Sequence, residues 1–316
     1  MKTALGILTF QCNYACPYCQ TVRDKWWTKY PSIDAEYWIK AFKTMPDGFI
    51  QFTGGEPFIY SGWFQIVESL EKRHYWYPTT NLSTSFANLK KFIDIAPLEQ
   101  MPLLAASLHP SHKGFDLWEF LSKIKFVQEH GVGVYINFVA YPDQMDLTEE
   151  LRNKVKATGA FFNVDPYIET GFEYDREQKR VVSSFLTAKR KLNYSPFERG
   201  VGRSCSAGFN YCAILPNGDV HRCGSAFWNQ PVPQVLSNIQ QSPNIQWAEY
   251  AKPCYHSCPA VCDQKATTIT SIEDNKVLTR PIFSRRKLSF LCKTTKHQSL
   301  RKIWNQLPAN VTKRMM

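Results

Sequence analysis

The chain has 316 residues, 44% of them hydrophobic and 14% aromatic, with ten cysteines and a formal net charge of +11. That length supports one large domain and a small one. The composition excludes a disordered chain, and the absence of any apolar stretch of about 18 residues excludes a membrane-spanning helix.

The first ten residues, "MKTALGILTF", carry one lysine and a short apolar run. No small-residue cleavage site follows, so the run reads as a strand over 4–10 rather than a signal peptide. Beyond it, β-rich runs alternate with helical patterns. Strands are predicted over 48–54, 75–83, 101–109, 131–141 and 159–167. Helices are predicted over 34–45, 62–73, 85–96, 117–130 and 147–158, each with apolar residues three and four apart. This alternation is the pattern of βα units around a parallel sheet, and six units make an α/β partial barrel, (β/α)6 and TIM-like. In such folds the loops after the strand C-termini carry the chemistry.

After residue 200 the texture changes to cysteines, a turn and few long helices. "FNYCAILPNGDVHRC" reads as a β-hairpin around Pro216-Asn217-Gly218-Asp219. The predicted organisation is a barrel over 1–200, a small cysteine-rich hairpin and helix domain over 201–292, and a basic tail over 293–316. The excess positive charge is densest in "SRRKLSFLCKTTKHQSLRKIW", which suits an anionic substrate, nucleic acid or a solvated face.

Ten cysteines without secretory context argue against a disulfide framework, and thiols grouped in clusters point to metal. The location expected is cytoplasmic. Cys12, Cys16 and Cys19 stand in a C-x3-C-x2-C spacing directly after the first strand. Three thiolates from one short loop suit an iron–sulfur cluster, whereas tetrahedral zinc takes a fourth ligand and the loop offers no histidine. Zinc stays open on this motif alone.

With Tyr18 just before its last cysteine, this loop resembles that of the radical S-adenosylmethionine (SAM) superfamily. "QFTGGEP" strengthens the resemblance by placing Gly54, Gly55, Glu56 and Pro57 after the second strand, where the superfamily has its GGEP motif. The resemblance implies a 4Fe-4S cluster on Cys12, Cys16 and Cys19 whose free iron binds SAM, with Glu56 meeting the methionyl amine. Glycines there would let backbone approach the ligand, and a carboxylate meets an ammonium. It further implies that Asn81 in "TTNLS", Ser107 and Asn137 line the SAM site. His109 and His112 lie at the fourth-strand mouth, where His109 is a candidate substrate-facing residue; a surface histidine is the plain alternative.

The other seven cysteines fall in the last third of the chain. Cys205-x12-Gly218-x4-Cys223 resembles the opening of the SPASM and twitch extensions, which hold auxiliary iron–sulfur clusters. The resemblance implies one auxiliary 4Fe-4S cluster on Cys205, Cys223, Cys258 and Cys262, with Cys254 able to replace either of the last two. The second block departs from the SPASM spacing, having C-x3-C-x3-C and then a long gap to Cys292. Two clusters, with Cys254, Cys258 and Cys292 on the second and Cys212 on the first, form the alternative, and structural zinc is another. Cys212, Cys254 or Cys292, if unligated, is a candidate thiol hydrogen-atom donor.

The activity implied is reductive cleavage of SAM to a 5′-deoxyadenosyl radical that takes a hydrogen atom from a substrate. The outcome would be oxidation or epimerisation, with an electron donor such as flavodoxin or ferredoxin. No extra domain precedes Cys12, which favours a small polar or sugar-like substrate over a peptide. Peptide modification is the second reading. A cluster-bearing or zinc nucleic-acid-binding protein is a third, which leaves GGEP without purpose; no membrane partner is expected.

Overall fold

The computed structural model describes residues 2–167, 169, 172–185, 203–225 and 235–254, and the backbone at 269–270 and 277–279. The elements run β1 (Lys2–Thr9), α1 (Gln20–Arg23), α2 (Trp26–Lys29), α3 (Ala35–Thr44), β2 (Gly48–Gly54), α4 (Trp63–Glu68), β3 (Tyr75–Thr80), α5 (Phe86–Ile95), β4 (Leu103–Leu108), α6 (Leu117–Glu129), β5 (Gly133–Ala140), α7 (Thr148–Ala157), β6 (Phe161–Pro166) and α8 (Arg176–Phe185). Short strands follow: β7 (Arg203–Cys205), β8 (Tyr211–Ile214), β9 (Asp219–His221), β10 (Ser237–Asn238), β11 (Lys252–Cys254), β12 (Ile269–Thr270) and β13 (Val277–Thr279).

Strands β1 to β6 pair in sequence order, all parallel, as six βα units require. The hairpin β8–β9 forms as the sequence predicts, with Gly218 at φ +86° in its turn. It extends the same sheet, because β8 lies parallel to β1, pairing Thr3 to Gly6 with Tyr211 to Ile214. The sheet order is therefore β10-β9-β8-β1-β2-β3-β4-β5-β6, with β11-β7-β12-β13 a separate small sheet.

Alternation along β1 sends Ala4 and Leu8 to the helix side, where they pack with Trp38 and Phe42 of α3 and Trp63 of α4. Leu5 and Ile7 face the other way, toward Tyr211, Ala213 and Trp26. Fully buried side chains such as Trp38, Trp63, Trp76 and Phe92 each contribute about 1.5–3 kcal/mol of apolar burial. Sequence signals set several helix starts: the Asp116 carboxylate accepts from the N–H groups of Trp118 and Glu119 to open α6, and the Ser85 hydroxyl accepts from Asn88 to open α5.

Two predicted boundaries move by three residues or more, and one helix is new. Helix α4 stops at Glu68 rather than 73, because the Ser69 hydroxyl donates to the Ile66 carbonyl and Arg73 turns away to donate to the Phe42, Lys43 and Met45 carbonyls at the end of α3. Strand β3 stops at Thr80 rather than 83, because the Asn81 N–H is taken by Glu56 and Leu82 adopts φ +54°. Helix α8, which no predicted element covered, is strongly charged and buries only Val182. Among the described residues, no helix is long and apolar enough to cross a membrane.

Candidate active site

The C-terminal ends of β1 to β4 surround a cleft of about 210 Å³. Cys12, Cys16 and Cys19 line it on the loop side, with Tyr14 and Tyr18 between them. Thr53, Gly54, Gly55, Thr79, Thr80, Asn81, Ser107 and His109 line it on the strand side. Cys12 Sγ accepts hydrogen bonds from the Tyr14 N–H at 3.4 Å and from Asn81 Nδ2 at 3.7 Å. Asn81 Nδ2 also donates to Asn13 Oδ1 at 3.2 Å, tying the cysteine loop to the end of β3.

The two glycines have a purpose beyond the one their motif implied. A Cβ on Gly55 would stand 1.8 Å from the Gln11 carbonyl oxygen, and one on Gly54, at φ +140°, would stand 2.1 Å from that of Thr9. Their backbone must come this close because Gly55 N–H donates to Thr9 O at 2.7 Å and Glu56 N–H to Gln11 O at 2.9 Å. The glycines thus seat the root of the cysteine loop on β2, and they border the cleft as well.

Glu56 is fully buried and borders no part of the cleft. Its Oε1 accepts from Thr80 Oγ1 at 2.7 Å and from the Phe58 N–H at 3.1 Å, and its Oε2 accepts from the Asn81 N–H at 2.7 Å. Burial pushes its carboxyl up to about 7, against the downward pull of those three donors. In this conformation it organises the strand end that faces the cleft. Pro57 is buried beside it and opens a single turn.

The far wall is aromatic. Tyr18 Oη and His109 Nδ1 share a 2.6 Å hydrogen bond, and Tyr14 stacks on His112 with centroids 3.7 Å apart. Burial, and then His112, push His109 down to about 4, so its imidazole is neutral at pH 7. Ser107, Asn137 and Asn163 are cross-strand partners in one row over β4, β5 and β6, and Asn163 Nδ2 donates to Asn137 Oδ1 at 3.1 Å. Ser107 reaches the cleft, whereas Asn137 stands one strand beyond its lining.

The donor set suits a four-iron cluster. Burial pushes the Cys12 thiol up to about 11 and Cys16 to about 12, so bare thiols stay protonated there and iron would draw them as thiolates. Among the described residues no three His, Cys, Asp or Glu side chains converge on one metal ion. A cubane spreads its ligands over separate corners, and three sulfurs around one cleft match that demand better than a single tetrahedral ion does. Residues 7–155 match the Radical SAM superfamily. The chain carries a radical SAM domain.

Solved structures with the radical SAM domain's fold extend the likeness. SuiB of Streptococcus suis is 17% identical, with a TM-score of 0.53 over 74% of this chain. The chain spans 62% of SuiB's length. Native anSMEcpe with bound AdoMet and Cp18Cys peptide is 14% identical, with a TM-score of 0.53 and 99% of both chains covered. SuiB is also known bound to SAM and to the precursor peptide SuiA. None of the curated proteins matches the sequence.

The predicted site residues therefore divide. Tyr18, Gly54, Gly55, Asn81, Ser107 and His109 meet the three cysteines at the cleft, and Glu56, Pro57 and Asn137 do not border it. Of the C-terminal cysteines, Cys205, Cys223 and Cys254 gather around Leu5, Tyr211 and Ala213. Cys212 lies on the opposite face of β8 in the helix-side core, fully buried, its thiol pushed well up by burial. Cys258, Cys262 and Cys292 lie outside the described residues. Thr53, Thr79, Thr80 and Tyr14 were not predicted; Thr79 and Thr80 sit in the quoted "TTNLS" stretch and Thr53 in "QFTGGEP", which carried the available signal.

Proposed function

We propose that this protein is a radical SAM enzyme that uses the Cys12, Cys16 and Cys19 cleft to bind and cleave SAM and so to oxidise a peptide substrate. The observation that carries it is the meeting of three thiols, the Gly54-Gly55 edge and the Asn81 and Ser107 side chains around one cleft. When bound, a reduced 4Fe-4S cluster supplies the electron that breaks the sulfonium bond and releases a hydrogen-abstracting deoxyadenosyl group.

The chain's own residues bind and orient. The backbone edge at Gly54 and Gly55 offers polar groups to the methionyl end of SAM, Ser107 a hydroxyl to the ribose, and Asn137 an amide further along the same face. Glu56 acts by holding Thr80 and Asn81 in place. Neutral His109 and the Tyr14 and Tyr18 rings shape the mouth and exclude water, which protects a reactive intermediate. A peptide substrate is supported by the peptide-bound structures of SuiB and anSMEcpe; a small polar or sugar-like substrate is the second reading, favoured by the excess of basic residues.

An auxiliary cluster in the 201–292 segment, on Cys205, Cys223 and partners among Cys254, Cys258 and Cys262, would accept the substrate's second electron. The packing of Cys205, Cys223 and Cys254 in one cluster supports it. Epimerisation would instead require a thiol donor, for which Cys254 and Cys292 are the better candidates, since Cys212 lies on the helix side. The test is anaerobic incubation of the reconstituted protein with SAM and a reductant such as reduced flavodoxin. Deoxyadenosine should form, and the Cys12, Cys16 and Cys19 triple alanine variant should form none. Adding peptides encoded beside the gene should yield a product two hydrogens lighter by mass spectrometry. Failure of every peptide, with sustained deoxyadenosine formation on small polyols, would favour the second substrate reading.

A further inference from the structure

The turn that follows β3 carries Asn81 to the cysteine loop, and its conformation is not one the chain adopts freely. Leu82 is a branched residue at φ +54°, a region L residues avoid because Cβ crowds the backbone. Such a residue persists only where its surroundings over-determine it. Its N–H donates to Thr80 Oγ1 at 3.0 Å, and the next N–H, that of Ser83, donates to Asn81 Oδ1 at 2.8 Å. The Leu82 carbonyl is met by Lys123.

Lys123 belongs to α6, with α5 and β4 between it and the turn, and its side chain is only 3% exposed. It interrupts the apolar stripe of Phe120, Ile124 and Val127, where a lysine has no packing advantage. Its Nζ donates to Leu82 O at 2.9 Å and pairs with Glu119 Oε1 at 2.7 Å. A buried ammonium held to a backbone carbonyl must stay there, because leaving either group unpaired is unfavourable in so dry a place.

We infer that Lys123 is a positioning residue for the iron–sulfur site: from outside the barrel it holds the Leu82 turn so that the Asn81 amide stays donating to Cys12 Sγ. The inference rests on the proposed cluster at Cys12, Cys16 and Cys19. Hydrogen bonds to a ligating sulfur withdraw charge from it and make the cluster easier to reduce. Lys123 touches neither the cleft nor any cysteine, so its effect passes through Asn81.

The experiment is a cycle on the reconstituted full chain, reading the midpoint potential of the cluster whose electron paramagnetic resonance signal changes on adding SAM. Lys123→Met should shift that potential to more negative values, Lys123→Arg should restore most of it, and Asn81→Ala should shift it the same way as Lys123→Met. In the Asn81→Ala background Lys123→Met should add nothing to the potential, although it should still lower Tm. An unchanged potential in Lys123→Met, or an equal further shift in the Asn81→Ala background, would overturn the positioning role and leave the cluster assignment standing. Wild-type protein that binds the same iron as its Cys12, Cys16 and Cys19 triple alanine variant would overturn the cluster assignment itself, and the inference with it. Should Lys123→Met lose its folded circular dichroism spectrum, Lys123→Gln reads the same coupling, since it keeps a polar side chain but ends one atom short of the Nζ that meets the Leu82 carbonyl; a potential equal to wild type there overturns the inference.

Discussion

Glu56 makes a pH-dependent contribution to the stability of the metal-free chain. Its folded carboxyl titrates near 7 where an ordinary glutamate titrates at 4.5, because burial disfavours the charge more than Thr80, Asn81 and Phe58 favour it. A carboxyl raised in the folded state stabilises below the unfolded value and loses that contribution as pH rises through the folded one. At about 1.4 kcal/mol per pH unit, the loss between pH 4.5 and 7 approaches 3 kcal/mol. Glu56→Gln removes the titration. It keeps one oxygen for Thr80 and Phe58 but sets an NH2 against the Asn81 N–H, leaving a buried donor unpaired at about 1–3 kcal/mol. Thermal melts of chelated protein from pH 5 to pH 8 should show wild-type Tm falling by roughly 4 °C relative to the variant's. The two should therefore converge toward high pH. Parallel pH profiles for the two proteins would refute the reasoning, as would a wild-type Tm that rises relative to Glu56→Gln across this window.

Gly55→Ala should destabilise the chain by about 3 kcal/mol or more and abolish SAM binding, read by melting and by calorimetry, since the added methyl meets backbone rather than a side chain that can move. Replacing Cys12, Cys16 and Cys19 together by alanine should remove about four of the roughly eight irons carried with one auxiliary cluster. Iron and zinc analysis reads this, and four irons with one zinc would replace the auxiliary cluster by a zinc site. Cys212→Ala should lower stability by about 1 kcal/mol through the lost sulfur contact and leave product yield unchanged. Deoxyadenosine without product in that variant would make Cys212 the hydrogen-atom donor after all.

Much of the barrel was legible because its signals are local. β2 occupies the predicted 48–54, and α6 begins at the predicted Leu117, where Asp116 caps it. The cysteine loop was legible because three thiols in eight positions have few other uses. What escaped depends on contacts between distant residues. The facing of Glu56 is decided by Thr80 and Asn81, 24 and 25 positions later, and spacing conveys order but no distance. The crowding at Gly54 and Gly55 comes from Thr9 and Gln11, so a motif read as room for a ligand is also room for the chain itself. Lys123 did leave a trace, as a lone basic residue within the apolar stripe of "LWEFLSKIKFVQEH", but only the strained carbonyl opposite gives that trace a meaning.

The alternation of a single strand sorts the C-terminal cysteines. Leu5 of β1 is the register partner of Gln51 on one side and Ala213 on the other, and Ile7 is the partner of Thr53. Register partners share a face, so Ala213 and the cysteines packed around it stand on the face whose upper end, at Thr53 and Thr79, lines the cleft. Cys212, one residue earlier, must take the other face, and it joins Ile214 and Val220 beneath the helices. A one-residue slip of β8 against β1 would exchange these roles. The backbone ladder that holds the register therefore also decides which sulfurs face the chemistry. Because β1 is the strand that ends in the Cys12 loop, Cys223, just after β9, is located relative to that loop by the hydrogen bonds of one continuous sheet, whereas Cys205 ends β7 of the small sheet and is held against the same face by packing.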